Sequence, residues 1–183
     1  MIDKNIKYRF KRGFQTTGTI TAMDALTHDT FKAALGRFAT GVTIVTTLDA
    51  AGQPVGLTAN SFNSVSLTPP LVLWSLSGQS ASMPAFAACT HYAIHVLGAH
   101  QRDLAQRFAT KGVDRWADTA YSTGPAGVPV LNGAIATLVC TNRSRYPEGD
   151  HTIFVGEVQH CSHQPQLRPL LYHGGRFFTE HPL

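Results

Sequence analysis

The chain has 183 residues, 43% of them hydrophobic and 14% charged, with a net charge of +4. This length is enough for one sizeable core and too short for two ordinary domains. The charge does not indicate a nucleic-acid-binding surface, because the whole surplus lies between Asp3 and Arg12 and the remaining chain is neutral.

A basic leader, disordered or extended, is predicted over residues 1–28, followed by one folded domain over residues 29–183. The leader lacks the apolar segment of a signal peptide, and a second methionine, Met23, stands just before the folded pattern. One interpretation is an extended start without a role of its own. The other is a tail that contacts phosphates or acidic membranes.

The cysteines and the apolar runs indicate the compartment. Cys89, Cys140 and Cys161 show no CxxC spacing, so neither a disulfide framework nor a zinc site is indicated. No apolar run is long enough to span a membrane. We therefore predict a cytoplasmic protein with no nucleic-acid or membrane partner. Because a charged fraction this low is typical of chains that bury further surface in an oligomer, we also expect a homodimer.

The first predicted element is a helix, because apolar residues recur at helical spacing over residues 31–39. We expect Asp29 or Thr30 to cap its start and Gly41 to end it. After this point the period of the hydrophobic pattern changes from that of a helix to that of strands.

The rest of the chain is predicted to be mostly strands with two short helices between them. Ser82 and Pro84 suit a helix start, and the apolar side of residues 101–110 indicates a second helix. Apolar and β-branched runs predict strands over residues 42–48, 55–60, 71–76, 92–97, 134–142, 152–160 and 170–178, with a hairpin turn at 49–52. Since strands and helices do not alternate, a closed antiparallel barrel fits better than a doubly wound sheet.

Several common catalytic motifs are absent from the sequence. It has no GxGxxG, GxxxxGK[ST] or HExxH, and its elbow-like segment, residues 78–82, ends in serine where GxSxG requires glycine. Histidines close in sequence form only pairs, His91 with His95 and His160 with His163, fewer than a metal site needs. Hydrolysis, P-loop phosphoryl transfer and Rossmann-type hydride transfer are therefore disfavoured, and we expect no metal.

Three segments have features of a flavin site. Residues 58–66 end a strand with small polar side chains, which let backbone amides approach a flat ring. Residues 75–82 run into a helix start whose hydroxyls and N–H groups suit an anion, and Lys111 could add a positive charge there. Residues 147–151 form a tight turn that places His151 at the head of a strand. Each segment alone also fits a purely structural role.

Four segments, in order, carry a resemblance to a known family: FATGVTIVT from Phe38, TANSFNSVSLTPPL from Thr58, GDH at 149–151 with VGEV at 155–158, and LYHGGRF from Leu171. With these motifs the chain resembles the short-chain flavin reductases of the FMN-binding split-barrel family over nearly all of its folded part. The resemblance implies a mainly β fold, a six-stranded antiparallel Greek-key split β-barrel with a few short helices. It also implies a homodimer with flavin near the dimer interface.

The resemblance implies roles for individual residues. His151 would contact the nicotinamide nucleotide, and Arg176 would help to close that site. The flavin ring and ribityl chain would be bordered by Thr43, Ile44, Thr58, Ala59, Asn60, Ser61, Ser64, Val65 and Ser66. The flavin phosphate would lie near Ser75, Ser80, Ser82 and Lys111. One departure is His95, which stands where similar proteins commonly carry asparagine and could alter flavin affinity or the preference between FMN and FAD.

The implied function is reduction of free FMN or FAD by NADH or NADPH, with reduced flavin diffusing to a partner flavin-dependent monooxygenase. No catalytic side chain is expected, because hydride transfer runs directly between the two cofactors. One alternative is a tight flavin-binding carrier or sensor with little nicotinamide turnover. Another is a split-barrel oxidase that acts on a vitamin-like substrate.

Overall fold

The computed structural model describes residues 25–181. Residues 1–24 lie outside the described part, so the predicted leader stays a prediction. The α-helices are α1 (His28–Leu35), α2 (Met83–Ala88) and α3 (Arg102–Ala109), with short 3-10 turns at Ala99–Gln101 and Pro125–Gly127. The strands are β1 (Thr40–Gly41), β2 (Thr43–Leu48), β3 (Pro54–Ala59), β4 (Asn63–Leu67), β5 (Pro70–Ser77), β6 (His91–Val96), β7 (Tyr121–Thr123), β8 (Pro129–Leu131), β9 (Ala136–Glu148), β10 (His151–His163), β11 (Leu171–His173) and β12 (Arg176–Phe178).

The main sheet is antiparallel and has the strand order β3-β2-β6-β9-β10-β5-β4. Its two outermost strands, β3 and β4, are consecutive in the chain and are joined only by residues 60–62. The sheet therefore curls until its two ends meet, which gives a barrel with a split between β3 and β5. Two smaller sheets, β1-β11-β12 and β7-β8, lie beside it.

The mainly β fold class is confirmed, but the expected number of six strands is wrong for the main sheet, which has seven. Within the main sheet, the strand that the sequence pattern did not predict is β4; the short strands β1, β7 and β8 of the smaller sheets were not predicted either. The side chains of β4 are exposed or half-buried, and a β-bulge interrupts its pairing with β5 between Ser64 and Ser66. A bulge and an exposed surface remove the alternation of apolar residues by which a strand is recognised.

The core of the barrel is built around Trp74. Its side chain is fully buried and stacks on Phe154, with ring centroids 4.8 Å apart. Phe86 and Tyr92 approach the same indole edge-on, at 5.0 and 5.8 Å. Each such aromatic side chain contributes on the order of 1.5–3 kcal/mol when fully buried. The cluster therefore holds β5, β10, β6 and α2 together.

Helix α1 differs from the prediction at both ends. Its N-cap is Thr27, whose hydroxyl accepts a hydrogen bond from the N–H of Thr30, while the Thr30 hydroxyl accepts one from the N–H of Thr27. Neither Asp29 nor Thr30 is the cap, because this reciprocal capping box already satisfies the first turn. The helix ends at Gly36 and not at Gly41, since Thr40–Gly41 pairs with β11.

Two turns show how glycine and aspartate shape the hairpins. The predicted turn at 49–52 is confirmed: the Asp49 carboxylate accepts hydrogen bonds from the N–H groups of Ala51 and Gln53, at 2.9 and 2.8 Å. The single strand predicted over 170–178 is wrong, because β11 and β12 form a hairpin there. Gly174 and Gly175 both have positive φ, +55° and +80°, a backbone conformation that favours a glycine turn.

His95 is the one fully buried histidine among residues 25–181, and it ties two parts of the barrel together. Its Nε2 accepts a hydrogen bond from the N–H of Leu131 at 3.1 Å, so its Nδ1 carries the proton and donates to the carbonyl of Ile44 at 3.0 Å. Burial lowers the pKa of His95 to about 4. The neutral ring therefore fastens the β8 segment to β2 and β6.

No helix among residues 25–181 has the length and apolar character needed to cross a membrane.

The pH dependence of stability tests the assignment of His95. Because its folded pKa of about 4 lies below the ordinary 6.5, the unfolded chain binds a proton first as pH falls. We expect the free energy of unfolding to fall by up to roughly 1.4 kcal/mol per pH unit from this group between those values. In His95→Asn this contribution should disappear, and stability at pH 7 should also fall, as measured by urea unfolding.

His163→Asn is the matched control, because His163 is exposed at the end of β10 and should keep the parent pH slope. A His95→Asn variant with the same pH slope as the parent would contradict the assignment.

Candidate functional site

The candidate site is a cavity of about 860 Å³ along the split between β3 and β5. One wall is β3 with the link residues Asn60 and Ser61. A second is the serine turn, residues 75–82, at the end of β5. A third is the α3 wall, residues 108–116, and His151 completes the lining. Polar hydroxyls and apolar strand residues therefore meet in one concave surface, the usual character of a small-molecule site.

The serine turn and the hairpin between β9 and β10 are held together by the backbone. The N–H of Gly78 donates to the carbonyl of Asp150 at 2.9 Å, and His151 pairs with Ser77 in the sheet. Gly149 has a φ of +60°, which allows the chain to turn immediately before this pair. The prediction that this turn places His151 at the head of a strand is confirmed, because β10 begins at His151.

The His151 ring is paired with the carboxylate before it. Its Nδ1 lies 2.7 Å from Oδ1 of Asp150, and this hydrogen bond to His151 holds the pKa of the Asp150 carboxyl below its usual range. Asp150 is largely exposed and His151 is about half-exposed, at 88% and 45% of their side-chain surface. The charged carboxylate therefore orients a ring that remains accessible from the cavity.

Hydroxyl groups of the cavity also fasten its walls. Thr58 of β3 donates to the carbonyl of Ala105 in α3 at 2.6 Å. The Ser61 hydroxyl accepts from the N–H of Ser75 at 2.9 Å and donates to its carbonyl at 3.1 Å. These bonds hold β3, α3 and β5 in fixed positions around the cavity.

The α3 wall contains cavity residues that the sequence interpretation missed, above all Arg115. Its guanidinium donates to the carbonyl of Gly56 at 2.8 Å and to that of Thr110 at 3.2 and 3.3 Å. A Cβ at Gly56 would lie 2.8 Å from Phe108 and 3.2 Å from Trp116, so this glycine lets the α3 wall pack onto β3. A glycine inside a predicted strand is the signal for such a close approach.

The structure brings together nine of the fifteen residues that the resemblance assigned to ligand binding. The cavity is lined by Thr58, Ala59, Asn60, Ser61, Ser75, Ser80, Ser82, Lys111 and His151. It is not lined by Thr43, Ile44, Ser64, Val65, Ser66 or Arg176. Ser64, Val65 and Ser66 lie on β4, and Arg176 lies on the β11-β12 hairpin beside the main sheet.

Two of these residues, Thr43 and Ile44, have side chains that are enclosed in the interior of the described chain. Thr43 is buried and its hydroxyl donates to the carbonyl of Ala59 at 2.7 Å, so it is engaged in the sheet. Ile44 is fully buried in a cluster with Leu97 and Phe108. Neither side chain is open to the cavity. His95 does not line it either, because its ring is fully buried in the core.

A second cavity, of about 580 Å³, lies between the β2-β3 turn, α2 and the start of β6. Its lining is mostly alanine and other apolar residues and includes no lysine or arginine. Burial raises the pKa of the Cys89 thiol in it, so this thiol stays protonated at neutral pH. Among residues 25–181 no group of three or more potential metal ligands converges. Because Lys111 and Arg115 line the β3-β5 cavity and no such cation lines the second cavity, the β3-β5 cavity is the better candidate for a phosphorylated ligand.

Comparison with known proteins gives the family. Residues 35–181 match the family described as flavin reductase like domain. FMN reductase (NADH) SmoA of Agrobacterium fabrum is 47% identical over 147 residues, covering 80% of this chain and 83% of the relative. HsaB, the reductase subunit of a flavin-dependent monooxygenase of Rhodococcus jostii, is 36% identical over 156 residues, covering 85% and 80%. The chain belongs to the flavin reductase like family.

Solved structures agree with this membership. The NADH:FAD oxidoreductase SgcE6 of Streptomyces globisporus, in complex with NAD and FAD fragments, matches with a TM-score of 0.78 at 39% identity, covering 83% of this chain and 92% of that one. A related structure from Sinorhizobium meliloti matches with a TM-score of 0.82 at 38% identity, covering 85% of this chain. That protein is longer, and the chain spans 54% of its length.

Proposed function

We propose that this protein reduces FMN or FAD with NADH or NADPH and supplies the reduced flavin to a partner monooxygenase. The observation that carries the proposal is a single cavity that combines serine hydroxyls, two cationic side chains and His151 in a chain of the flavin reductase like family. The names of the relatives, FMN reductase (NADH) and monooxygenase reductase subunit, favour this reaction over a flavin carrier or sensor.

The residues of the cavity suit a flavin and a nicotinamide nucleotide. Thr58, Ala59, Asn60 and Ser61 would border the flavin ring and ribityl chain, where a strand backbone and small side chains allow close approach to a flat ring. Ser75, Ser80, Ser82 and Lys111 offer hydroxyls and a cation to its phosphate. His151 would contact the nicotinamide nucleotide, oriented by Asp150.

Direct hydride transfer from a nicotinamide to a flavin ring is the chemistry that the two bound cofactors supply. The protein's contribution is to hold both rings in contact and to exclude water between them. Thr58, Ser61 and Gly56 serve this role by fixing β3 against α3 and β5. No side chain needs to act as a nucleophile or as an acid–base pair.

Several further features belong to the proposal. The flavin-binding domain comprises residues 29–183, and α1 begins one residue earlier, at His28. Reduced flavin reaches the monooxygenase by diffusion, so no docking surface is needed. A cytoplasmic location is supported by the three cysteines, which are all free.

A homodimer is part of the proposal because α1 buries none of its residues. Phe31 and Leu35 of α1 are 54% and 59% exposed, and Phe38, just after the helix, is 76% exposed. A helix this short is not stable in water without packing, and a second copy of the chain would cover its apolar side chains. The exposed residues Val65 and Leu67 on β4 add to the apolar surface that such a partner could bury.

Steady-state turnover tests the proposed function. Purified protein is mixed with NADH or NADPH and an excess of FMN or FAD, and oxidation of the nicotinamide is followed by its absorbance. We expect many turnovers per chain, because the flavin is a substrate that leaves after reduction. Stoichiometric flavin binding without turnover would instead support the carrier or sensor.

His151→Ala tests the role of the Gly-Asp-His turn. Removing the ring should raise the KM for the nicotinamide nucleotide roughly tenfold, the usual effect of losing one good hydrogen bond, with a much smaller change in flavin affinity. His160→Ala is the control, because His160 is exposed near the far end of the same strand. Equal kinetics in His151→Ala and the parent would remove His151 from the site.

Light scattering of the purified protein tests the homodimer. We expect twice the 19.8 kDa of one chain. Leu35→Asp should shift the protein toward single chains, because it places a charge in the apolar face of α1. Lys32→Asp introduces the same charge on a neighbouring position that is already polar, and should leave the dimer intact. A parent that is a single chain at micromolar concentration contradicts the proposal.

A further inference from the structure

Two carboxylates flank His151 on the hairpin between β9 and β10. Glu148 is directly opposite His151 in the sheet, and Asp150 precedes it in the chain and is hydrogen-bonded to its Nδ1. Residues that face each other across an antiparallel pair carry their side chains on the same face, with Cβ atoms about 4.5–5.5 Å apart. The ring of His151, which lines the cavity, therefore has a carboxylate on each side. We call Glu148 and Asp150 the acidic rim.

The acidic rim carries two negative charges that the protein leaves largely uncompensated. Glu148 is exposed and forms no ion pair among residues 25–181. Asp150 is exposed as well, and the hydrogen bond to His151 holds the pKa of its carboxyl below the usual range, so it is ionised at neutral pH. Its partner, the His151 ring, supplies a compensating charge only when that ring is protonated.

The segments that carry the acidic rim offer it little positive charge. Residues 75–82 and 145–153, which meet at this side of the cavity, contain one arginine and no lysine. That arginine, Arg145, is opposite Phe154 in the sheet, and the Phe154 side chain is fully buried. Since side chains alternate between the two faces of a strand, Arg145 lies on the face opposite to that of His151.

Other basic groups around the cavity have different partners. His28 of α1 is near enough to Asp150 for their charges to interact, but it is paired with Asp29 at 3.7 Å. Lys111 and Arg115 lie in the α3 wall, where Lys111 is proposed to meet the flavin phosphate. The cavity is therefore basic at the α3 wall and acidic beside His151.

NADH and NADPH differ by one group, the phosphate on the 2′-oxygen of the adenosine ribose. This phosphate adds roughly two negative charges at neutral pH. In dinucleotide-binding proteins an arginine commonly accommodates the 2′-phosphate, whereas a carboxylate near the ribose favours NADH. A nicotinamide nucleotide that contacts His151 meets two carboxylates and no such arginine on the same face of the hairpin.

We propose that the acidic rim makes this protein select NADH over NADPH by repelling the 2′-phosphate. The inference rests on the proposed function and names Glu148 and Asp150 as specificity-determining residues of the same site. Selection of this kind acts against the unwanted ligand and needs no contact with the wanted one. A carboxylate and a doubly charged phosphate about 10 Å apart in water repel each other enough to weaken binding roughly fourfold, so two carboxylates weaken it roughly tenfold at low ionic strength.

The experiment measures kcat/KM for NADH and for NADPH, with FMN at saturation, in the full chain. We expect the parent to prefer NADH by roughly tenfold at an ionic strength of about 0.01 M, where the Debye length is about 30 Å. The preference should fall as salt is added, because the charges of an exposed rim are screened. In Glu148→Gln and in Asp150→Asn the NADH-to-NADPH ratio should fall by roughly threefold each.

The variants separate charge from the orientation of His151. Glu148→Gln leaves the hydrogen bond between Asp150 and His151 in place. Asp150→Asn also alters that bond, which affects NADH and NADPH alike, so the ratio of the two still reports the charge. Glu148→Lys places a cation on the rim and should lower the ratio further than Glu148→Gln. Asp103→Asn is the matched control, because Asp103 is exposed at the start of α3 and does not line the cavity, and its ratio should equal that of the parent.

Binding of two nucleotide fragments repeats the comparison without turnover. By calorimetry, ADP-ribose should bind the parent more tightly than 2′-phospho-ADP-ribose, and Glu148→Gln should reduce the difference. Equal kcat/KM for NADH and NADPH in the parent overturns the selection, while the reductase function stands. A ratio that neither salt nor the rim variants change overturns the role of the acidic rim. A parent that oxidises neither nucleotide contradicts the proposed function itself, and the two fragment affinities then still test the rim.

Discussion

The hydroxyl of Ser61, just after β3, is hydrogen-bonded to the backbone of β5, a strand with which β3 forms no backbone ladder. It accepts from the N–H of Ser75 and donates to the carbonyl of the same residue, at 2.9 and 3.1 Å, between the two ends of a seven-stranded sheet. Because β3 and β4 are consecutive, the chain must cross from one end of the sheet to the other within residues 60–62. A side-chain bridge closes the barrel at one point and leaves the rest of the split open for a ligand.

The strands and the helix on either side of the split are held in place by buried hydrophobic clusters. Trp74 and Phe154 hold β5 and β10 on one side, while Ile44, Leu97 and Phe108 hold β2 and α3 on the other. Arg115 joins the α3 wall to β3 through backbone carbonyls. The cavity therefore lies between two independently packed clusters, and its polar groups come from the edges of both.

The sequence predicted the elements whose side chains alternate or recur regularly. The strands β2, β3, β5, β6 and β10, the helix α3 and the Asp49 turn lie close to their predicted positions, because their buried faces carry clear hydrophobic periods. The exposed helix α1 and strand β4 have no buried face to set a boundary. The cap at Thr27 and the strand at Asn63–Leu67 were therefore placed wrongly or missed.

The site was predictable where it follows local motifs and not where it depends on tertiary packing. His151 and the serine turn lie within short segments whose chemistry is visible in the sequence, and both line the cavity. The side chain of Ile44 belongs to the core, because β2 is buried on both faces, by the Trp74 cluster and by the α3 cluster, and this burial depends on tertiary packing. Arg115 was missed because its position depends on the contact of a loop with Gly56, which no local pattern shows.

The central claim is that the β3-β5 cavity holds the flavin. A crystal structure of the protein grown with FMN tests it most directly. We expect the ribityl chain along Thr58 to Ser61 and the phosphate within hydrogen-bond distance of Lys111 or of the serine turn. Flavin density in the second cavity, beside Cys89 and His91, with the β3-β5 cavity empty, would contradict it.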